Sequence, residues 1–544
     1  MNVLDFFNFL SLHTNSKKKI VVAAGVLNGL CMAALMYSLQ IGISSIAMES
    51  GVSFRGLFLF ICAWALYYIT MFYATRTVSG ITYTAIEGLE LRLVNKLRRI
   101  DYPEFKKISS VDLYAALGGD KSTVLNAARL LVTAFSSAVT VVLAFGYMLY
   151  ISVTSVVLIL ALFVVLALYY RVQNSAMAKR AESDIQTSGV FMNSLEDLIN
   201  GFAEMKMNNL KSEDFYNKKI QPASNGKTES YRETGTLWVK VLIFNQTALY
   251  IALGLIVFIA PALAQTASQE VIRLLAITLM IIGPAGAVVG LIGAADLANN
   301  TLRRVWDIEK RIDEAAGNTG EDLSVLPSPP NFSTLKIEKL KFSYNQNGNG
   351  NGFSLKVKDF HLNRGELIII KGGNGSGKTT FMHILAGLLL PREGEILVDG
   401  VPASSMKSTD YRSLFSVIFS DFCLFDGFYG FETNKTDLDY WVRKLGLVQQ
   451  MKYYDSNKTL PTRELSSGQR KRLALLSAIL ENKSVLLLDE VAADFDPEFR
   501  SRYYREIMPE LKAAGRTLLL ISHDDRYFDI ADRVVEFNEG ANVI

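Results

Sequence analysis

The chain of 544 residues carries 56 Lys and Arg against 53 Asp and Glu, a formal charge of +3, with half its residues hydrophobic and a mean hydropathy of +0.22. That apolar content excludes a disordered chain, and so small a charge on this length excludes a purely electrostatic nucleic-acid binder. Three widely spaced cysteines, Cys31, Cys62 and Cys423, exclude a disulfide framework or a cysteine metal site, which leaves a membrane protein with a soluble part.

The dividing line falls near residue 300. Upstream, six apolar stretches reach the roughly 20 residues that a helix needs to cross about 30 Å of hydrocarbon, some of them with mild interruptions. They lie near 20–46, 56–75, 130–152, 153–172, 237–264 and 271–296. The third and fourth almost touch and read as a tight hairpin turning at Ile151-Ser152-Val153-Thr154. Lys and Arg concentrate after the second and fourth spans, at Arg92, Lys96, Arg98, Arg99, Lys106 and Lys107, then Lys179, Arg180, Lys206 and Lys211. Positive residues stay cytoplasmic, so both termini and these long loops are expected inside. Lys17, Lys18 and Lys19 stand directly before the first span, and Leu4, Phe6, Phe7 and Leu10 ahead of them fit a short interfacial helix. A cleaved signal peptide fits less well, since the apolar run is too long and no convincing small-residue cleavage site follows it.

Segments 78–126 and 173–236 contain little Pro or Gly and keep helical apolar spacing. They are expected to be helices that continue well beyond the membrane and turn back near 101–120 and 197–215. The polar stretch 301–330 ends in Pro327-Ser328-Pro329-Pro330, a linker composition. Beyond it, strand-like runs (Glu366–Lys371, Val485–Leu488, Thr517–Ile521) alternate with helical ones (Phe381–Leu389, Tyr503–Ala514). That alternation argues an α/β domain with a largely parallel sheet over 331–544, after a transmembrane domain over 1–300.

The strongest motif is Gly372-Gly373-Asn374-Gly375-Ser376-Gly377-Lys378-Thr379, between a strand and a helix. Glycines in this pattern let backbone N–H groups wrap around phosphates. Lys378 reaches the β/γ oxygens, Thr379 offers its hydroxyl to Mg²⁺, and the helix N-terminus faces the anion. The apolar run Ser484–Leu488 ends in Asp489-Glu490, where Asp489 suits the Mg²⁺ shell and Glu490 suits activation of the attacking water. Between these lies Leu465-Ser466-Ser467-Gly468-Gln469, followed by Arg470, Lys471 and Arg472.

With these three motifs in this order, the chain resembles the nucleotide-binding domain of ABC transporters. The resemblance implies that Ser466, Ser467, Gly468 and Gln469 face the γ-phosphate of ATP held by a second copy of the domain. Ser467 stands where the family usually has Gly. It further implies that Tyr344 stacks on adenine, that Thr380 belongs with the phosphate loop, and that Asp496 closes the segment after Glu490. His523 takes the place of the switch histidine near the γ-phosphate. The family's usual glutamine falls at Ser420 in Phe419–Phe425, so either Ser420 or Asp421 is the candidate Mg²⁺ ligand or sensor of the membrane part. Pro461-Thr462-Arg463-Glu464 replaces the exporter stretch before the signature.

Four segments, Phe419–Phe425, Asp489–Arg500, His523–Phe528 and Gly201–Lys206, resemble a branch of half-transporters for cyclic peptides and peptide siderophores. Exporters of pyoverdine precursors, syringomycin-type lipopeptides and a lasso-peptide microcin belong to that branch. The expected protein is thus a multidomain membrane protein: a six-helix transmembrane domain with long cytoplasmic helix extensions, followed by an α/β P-loop ABC ATPase domain. By this resemblance it binds ATP and Mg²⁺, works as a homodimer in the bacterial inner membrane with its ATPase domain cytoplasmic, and exports a peptide-like cargo. A periplasmic acceptor is a possible partner and nucleic acid is not. The competing readings are a lipid or multidrug exporter, and an ATP-gated channel or regulatory subunit.

The membrane half says less. Pro284 with Gly283, Gly286, Gly290 and Gly293 suggests a kinked sixth span with a small-residue face for close helix packing, or a hinge. Asn245 and Gln246 are either cargo contacts or interhelical hydrogen bonders. Lys240 suits snorkelling, and no carboxylate pair in the spans suggests a proton relay.

Overall fold

A computed structural model describes residues 18–47, 53–108, 110–118, 121–264, 268–316, 332–344, 353–432, 434–457, 459–460, 465–538 and 540–543, with isolated positions at 6, 8, 9, 328 and 330. Most of the expected interfacial helix, most of 317–330, and Pro461–Glu464 lie outside the described residues, while 301–316 of the expected linker are helical. The chain divides into two compact units, one of Met1–Lys96 with Ile108–Asp313 and the other of Leu97–Lys107 with Glu314–Ile544.

The first unit is helical. Its helices are α1 (Lys18–Ala47), α2 (Phe54–Leu97), α3 (Tyr102–Phe105, in the segment that clusters with the second unit), α4 (Ser110–Gly118), α5 (Ser122–Ile151), α6 (Val153–Asn200), α7 (Gln221–Gly254) and α8 (Ser268–Ala316). A π-helical turn carries α7 on to Ala264. At 44 residues, α2 is about 66 Å long, twice the hydrocarbon thickness, and α6 and α8 are longer still. The short helices α3, α4, Phe202–Met207 and Asn209–Phe215 make the two expected turn-backs.

Among the described residues, five helices are long and apolar enough to cross a membrane, one fewer than expected. The one not among these five is the expected fourth span. It is the head of α6, where the described apolar stretch is Val153–Leu166. The hairpin before it is a single residue wide. Ser152 leaves helical geometry (φ −155°, ψ 114°), and its hydroxyl accepts from the Ser155 N–H at 3.3 Å and the Ser155 hydroxyl at 3.1 Å. These bonds satisfy N-terminal groups that would otherwise be orphaned in an apolar setting. Met148, Ile256 and Leu274, all fully buried, centre the core shared by α5, α6, α8 and the π-turn.

The close helix approach is not where the sequence pointed. A Cβ at Gly283, Gly286 or Gly290 would meet nothing within 4 Å, so these three positions of the α8 small-residue face are open within this chain, while Gly293 is buried. Instead, α1 presses on α5: a Cβ at Gly29 would lie 2.6 Å from Val139 Cβ and 2.7 Å from the Ser136 carbonyl. Thr140 donates to the Gly29 carbonyl at 3.2 Å across the same crossing. Nearby, Asn28 donates to the Tyr67 carbonyl and to the Thr70 hydroxyl, each at 3.1 Å.

In the second unit a ten-stranded sheet runs in the order β5-β4-β1-β2-β10-β9-β3-β8-β7-β6. The strands are β1 (Thr334–Ser343), β2 (Ser354–Asn363), β3 (Leu367–Gly372), β4 (Glu393–Val398), β5 (Val401–Pro402), β6 (Phe415–Ile418), β7 (Val485–Asp489), β8 (Thr517–Ile521), β9 (Arg533–Asn538) and β10 (Ala541–Val543). Strands β9, β3, β8, β7 and β6 pair in parallel. The continuous apolar runs of β3, β7 and β8 serve two cores at once. Ile368, Ile370, Val485, Leu487, Leu519 and Ile521 face one layer, while Leu367, Ile369, Leu486, Leu488, Leu518 and Leu520 face the other. The antiparallel pairing of β1 with β2 and β4 departs from the expected largely parallel sheet. Its strands alternate buried and exposed residues, as suits a sheet covered on one face.

Gly29→Val should overpack the α1–α5 crossing at a cost of about 1–3 kcal/mol and lower the thermal midpoint of the detergent-solubilised protein. Gly88→Ala, whose Cβ would face open space, should leave the midpoint unchanged or raise it.

Candidate active site

The loops that carry the motifs leave the carboxyl ends of the parallel strands, where open α/β sheets place their ligands. The phosphate loop follows β3, Glu490 follows β7, His523 follows β8 and Ser420 follows β6. Pairing of Ile370 and of Asp489 with Ile521 brings three of these ends level.

Backbone conformation explains the glycines at both ends of the loop. Gly372 has φ +151° and a Cβ there would collide with the Phe537 carbonyl; Gly377 has φ +96° and a Cβ there would lie 2.7 Å from Phe353. Gly373, Asn374 and Gly375 form the exposed rim. Helix α9 (Lys378–Leu385) starts directly behind it. The Lys378 ammonium, 6% exposed, donates to the Gly372 and Gly373 carbonyls at 2.8 and 3.0 Å and so spans the loop's concave side. Ser376 is buried and its hydroxyl has no partner.

Thr379 donates its hydroxyl to Asp489 Oδ2 at 2.8 Å. The other oxygen, Oδ1, is buried without a partner. Burial pushes the Asp489 carboxyl above its usual range and the neighbouring Glu490 charge adds to this, while the Thr379 hydrogen bond opposes it. An orphaned carboxylate oxygen beside a hydroxyl is a fitting donor pair for a hard divalent cation. The Ser420 backbone lies on the Asp489 side, where its N–H dipole lowers the Asp489 pKa, whereas the charge of Asp421 acts on His383 and Lys106. Of the two candidates, the structure therefore brings Ser420 to the Asp489 side and not Asp421.

Glu490 sits in the left-handed region (φ +49°), a conformation that persists when surrounding contacts fix it. Its N–H donates to the Ile521 carbonyl at 3.2 Å and its carbonyl accepts from the Lys471 ammonium at 2.9 Å. The strained turn aims its carboxylate at His523, with Oε1 3.1 Å from Nε2. Tyr344, more than half exposed, packs edge-on against Phe342, and its hydroxyl lies 3.2 Å from that of Thr380.

The signature residues form a second group. Ser466 caps helix α10 (Ser467–Leu480) in a reciprocal box with Gln469: each side chain accepts from the other's backbone N–H, at 3.3 and 3.1 Å. Gly468 passes close to the Asp494 carbonyl, 2.9 Å from where a Cβ would stand. Asp496 caps helix α11 (Pro497–Arg502), accepting from the Phe499 N–H at 2.8 Å, and pairs with Arg472. The Phe499 N–H holds the Asp496 carboxyl below its usual range, helped by Arg472. No hydrogen bond or ion pair joins Ser466–Gln469 to Gly372–Thr379 among the described residues. Within one chain the two groups stay separate.

Sequence reasoning missed His383. On α9, its ring is stacked between Phe419, 4.4 Å away between centroids, and Tyr102 of the 97–107 segment, 5.4 Å away. The only sequence signal was an aromatic within an expected turn-back. Burial lowers the His383 pKa from about 6.5, with Lys106 acting the same way and Asp421 against. The stack therefore favours the neutral ring. Its contribution is complete above about pH 6.5 and is lost as pH falls through the lowered value of the packed ring. Hydrogen exchange at residues 97–107 should accordingly rise in the wild-type chain between about pH 7 and 5 relative to His383→Phe at the same pH; equal exchange at both ends would contradict this.

An ABC transporter family model matches residues 355–493. The chain is 32% identical over 355 residues to ATP-binding protein SyrD of Pseudomonas syringae pv. syringae, which covers 64% of this chain and 62% of SyrD. It is 31% identical to the energy-coupling factor transporter ATP-binding protein EcfA2 of Clostridium perfringens, over 39% of this chain and 79% of that one. An ATP-dependent lipid A-core flippase of Alkalilimnicola ehrlichii is 24% identical over 87% of this chain and 81% of its own. Among solved structures, a bacterial Atm1-family ABC exporter with ATP bound superposes with a TM-score of 0.78 at 15% identity, covering 97% of this chain and 95% of that one, which shows a shared fold. The chain belongs to the ABC transporter family, with helices long and apolar enough to cross a membrane standing before its ABC transporter domain.

Proposed function

We propose that this chain is one half of a homodimeric exporter in the bacterial inner membrane, driven by ATP hydrolysis and moving a peptide-like cargo. The observation that carries the reading is the convergence of Lys378, Thr379, Asp489, Glu490 and His523 at adjoining strand ends. Loop N–H groups and the α9 N-terminus bind the phosphates, and Lys378 leaves the loop carbonyls for the β/γ oxygens. Thr379 and Asp489, with Ser420 beside them, would hold Mg²⁺, which neutralises charge on the phosphate oxygens when bound. Glu490 orients and deprotonates the attacking water, and His523 fixes the Glu490 carboxylate and the γ-phosphate. Tyr344 offers its ring to adenine.

Because Ser466–Gln469 stand apart from the phosphate loop of their own chain, each ATP is sandwiched between two chains. Closure of the two ATPase domains is read by the 97–107 segment through the Tyr102–His383–Phe419 stack. A peptide cargo follows from the resemblance of four segments to peptide exporters and is supported by the likeness to SyrD. Lipid is the second reading, favoured by the likeness to the lipid A-core flippase across most of the chain.

Glu490→Gln should leave ATP binding intact and lower hydrolysis by about 10²- to 10⁴-fold in nanodiscs. Undiminished hydrolysis would refute the catalytic assignment. In the wild-type protein, cyclic or lipid-capped peptides should stimulate hydrolysis where lipid A-type lipids do not; the reverse pattern would establish the lipid reading.

A further inference from the structure

Within the membrane unit, α1, α5 and α8 line a cavity of about 180 Å³. Helices α1 and α5 begin, and α8 ends, among basic residues: Lys18 and Lys19, Lys121 and Arg129, Arg303 and Arg304. The cavity residues Gln40, Tyr147 and Ala276 lie toward the opposite ends of those helices, which the charge rule places on the outer side. Its wall is mostly apolar, with Met36, Ala276 and Met280 among its residues, and carries the phenols of Tyr37 and Tyr147.

Gln40 is the exception that matters. It is 9% exposed, lines the cavity, and makes no hydrogen bond among the described residues. On the same helix Asn28 donates twice, although its Oδ1 is buried without a partner, and Ser38 donates to the Leu35 carbonyl at 2.8 Å. A carboxamide has two donors and an acceptor oxygen, and at membrane depth there is no bulk water to satisfy them. Leaving such a group unpaired on a cavity wall is costly unless something that enters the cavity pairs with it.

We propose that this cavity is a cargo subsite that takes one apolar side chain of a peptide together with the adjoining backbone amide, which pairs with Gln40. The assignment rests on the peptide-export reading and gives it a place in the membrane half. A dry cavity of about 150 Å³ holds a benzene ring, so the volume here suits one leucine or phenylalanine side chain. The methionines adapt to either shape. A lipid acyl chain would fill the space but offer Gln40 nothing.

The test uses the full chain in nanodiscs. A panel of linear, cyclic and lipid-capped leucine-rich peptides is first screened for ATPase stimulation, and the strongest is remade with photo-leucine. In the wild-type protein the label should crosslink to Met36 or Met280, a readout that needs no variant to fold. Gln40→Leu and the cavity-filling Ala276→Phe should each raise the half-stimulating peptide concentration about tenfold. N-methylation of the labelled amide should weaken stimulation of the wild type and not of Gln40→Leu. Crosslinks elsewhere, with unchanged half-stimulating concentrations in both variants, would overturn the subsite and leave the export reading standing. Stimulation by lipids and by none of the peptides would overturn both.

Discussion

Folding removes the carboxylate of Asp489 from water and leaves one of its oxygens without a partner, and the ATPase half is organised around that residue. Its other oxygen is held by Thr379, so the first turn after the phosphate loop is tied to the end of β7. A buried, half-satisfied carboxylate is an unfavourable arrangement for a protein that only needs to be stable. It is a favourable one for a site that receives a cation together with a charged substrate. The next residue, Glu490, sits in a left-handed turn held by Lys471 and Ile521, so strain and unmet polarity occur side by side. Such features belong where chemistry needs groups fixed before the substrate arrives.

The sheet makes this arrangement possible. Strands β3, β7 and β8 are apolar on both faces and clamped between two layers, which leaves their carboxyl ends as the place where their polar side chains escape burial. Four strands release their chemistry there, in loops whose registers coincide. The signature helix is fixed from a different direction, by the Ser466–Gln469 box and the contacts of Lys471 with Asp494 and Arg472 with Asp496. On the proposed reading, one chain carries two half-sites, each completed by a second chain.

Much of this was legible in the residues. Gly372, Gly377, Lys378, Thr379, Asp489 and Glu490 are types that few structural roles require in that order, because positive φ, phosphate charge and metal affinity each demand a specific chemistry. The apolar runs of β3, β7 and β8 were equally readable. The antiparallel strands were not, since β1 and β2 bury only alternate residues and resemble solvent-facing segments. The places of Ser420 and Asp421 could not be separated by spacing alone; in the structure the Ser420 backbone acts on Asp489 and the Asp421 charge on His383. The glycine-rich face of the sixth span pointed to tight packing, yet the tight crossing lies at Gly29, because what a glycine faces is decided by helix rotation and not by its spacing. His383 and Gln40 were invisible, as a lone histidine or glutamine acquires meaning only from its neighbours in space.

The central claim is that each hydrolytic site is shared by two chains. It is tested most directly by mixing two inactive variants, Lys378→Ala, which disables the phosphate loop, and Ser467→Arg, which blocks the signature helix N-terminus. Each alone has both shared sites damaged. In a mixed pair, one site combines the two lesions and the other combines two intact halves. Equal co-reconstitution with random pairing should therefore restore about a quarter of wild-type hydrolysis. No recovery, despite demonstrated mixed pairs, would mean that the phosphate loop and signature act within one chain, and the shared-site account would fail.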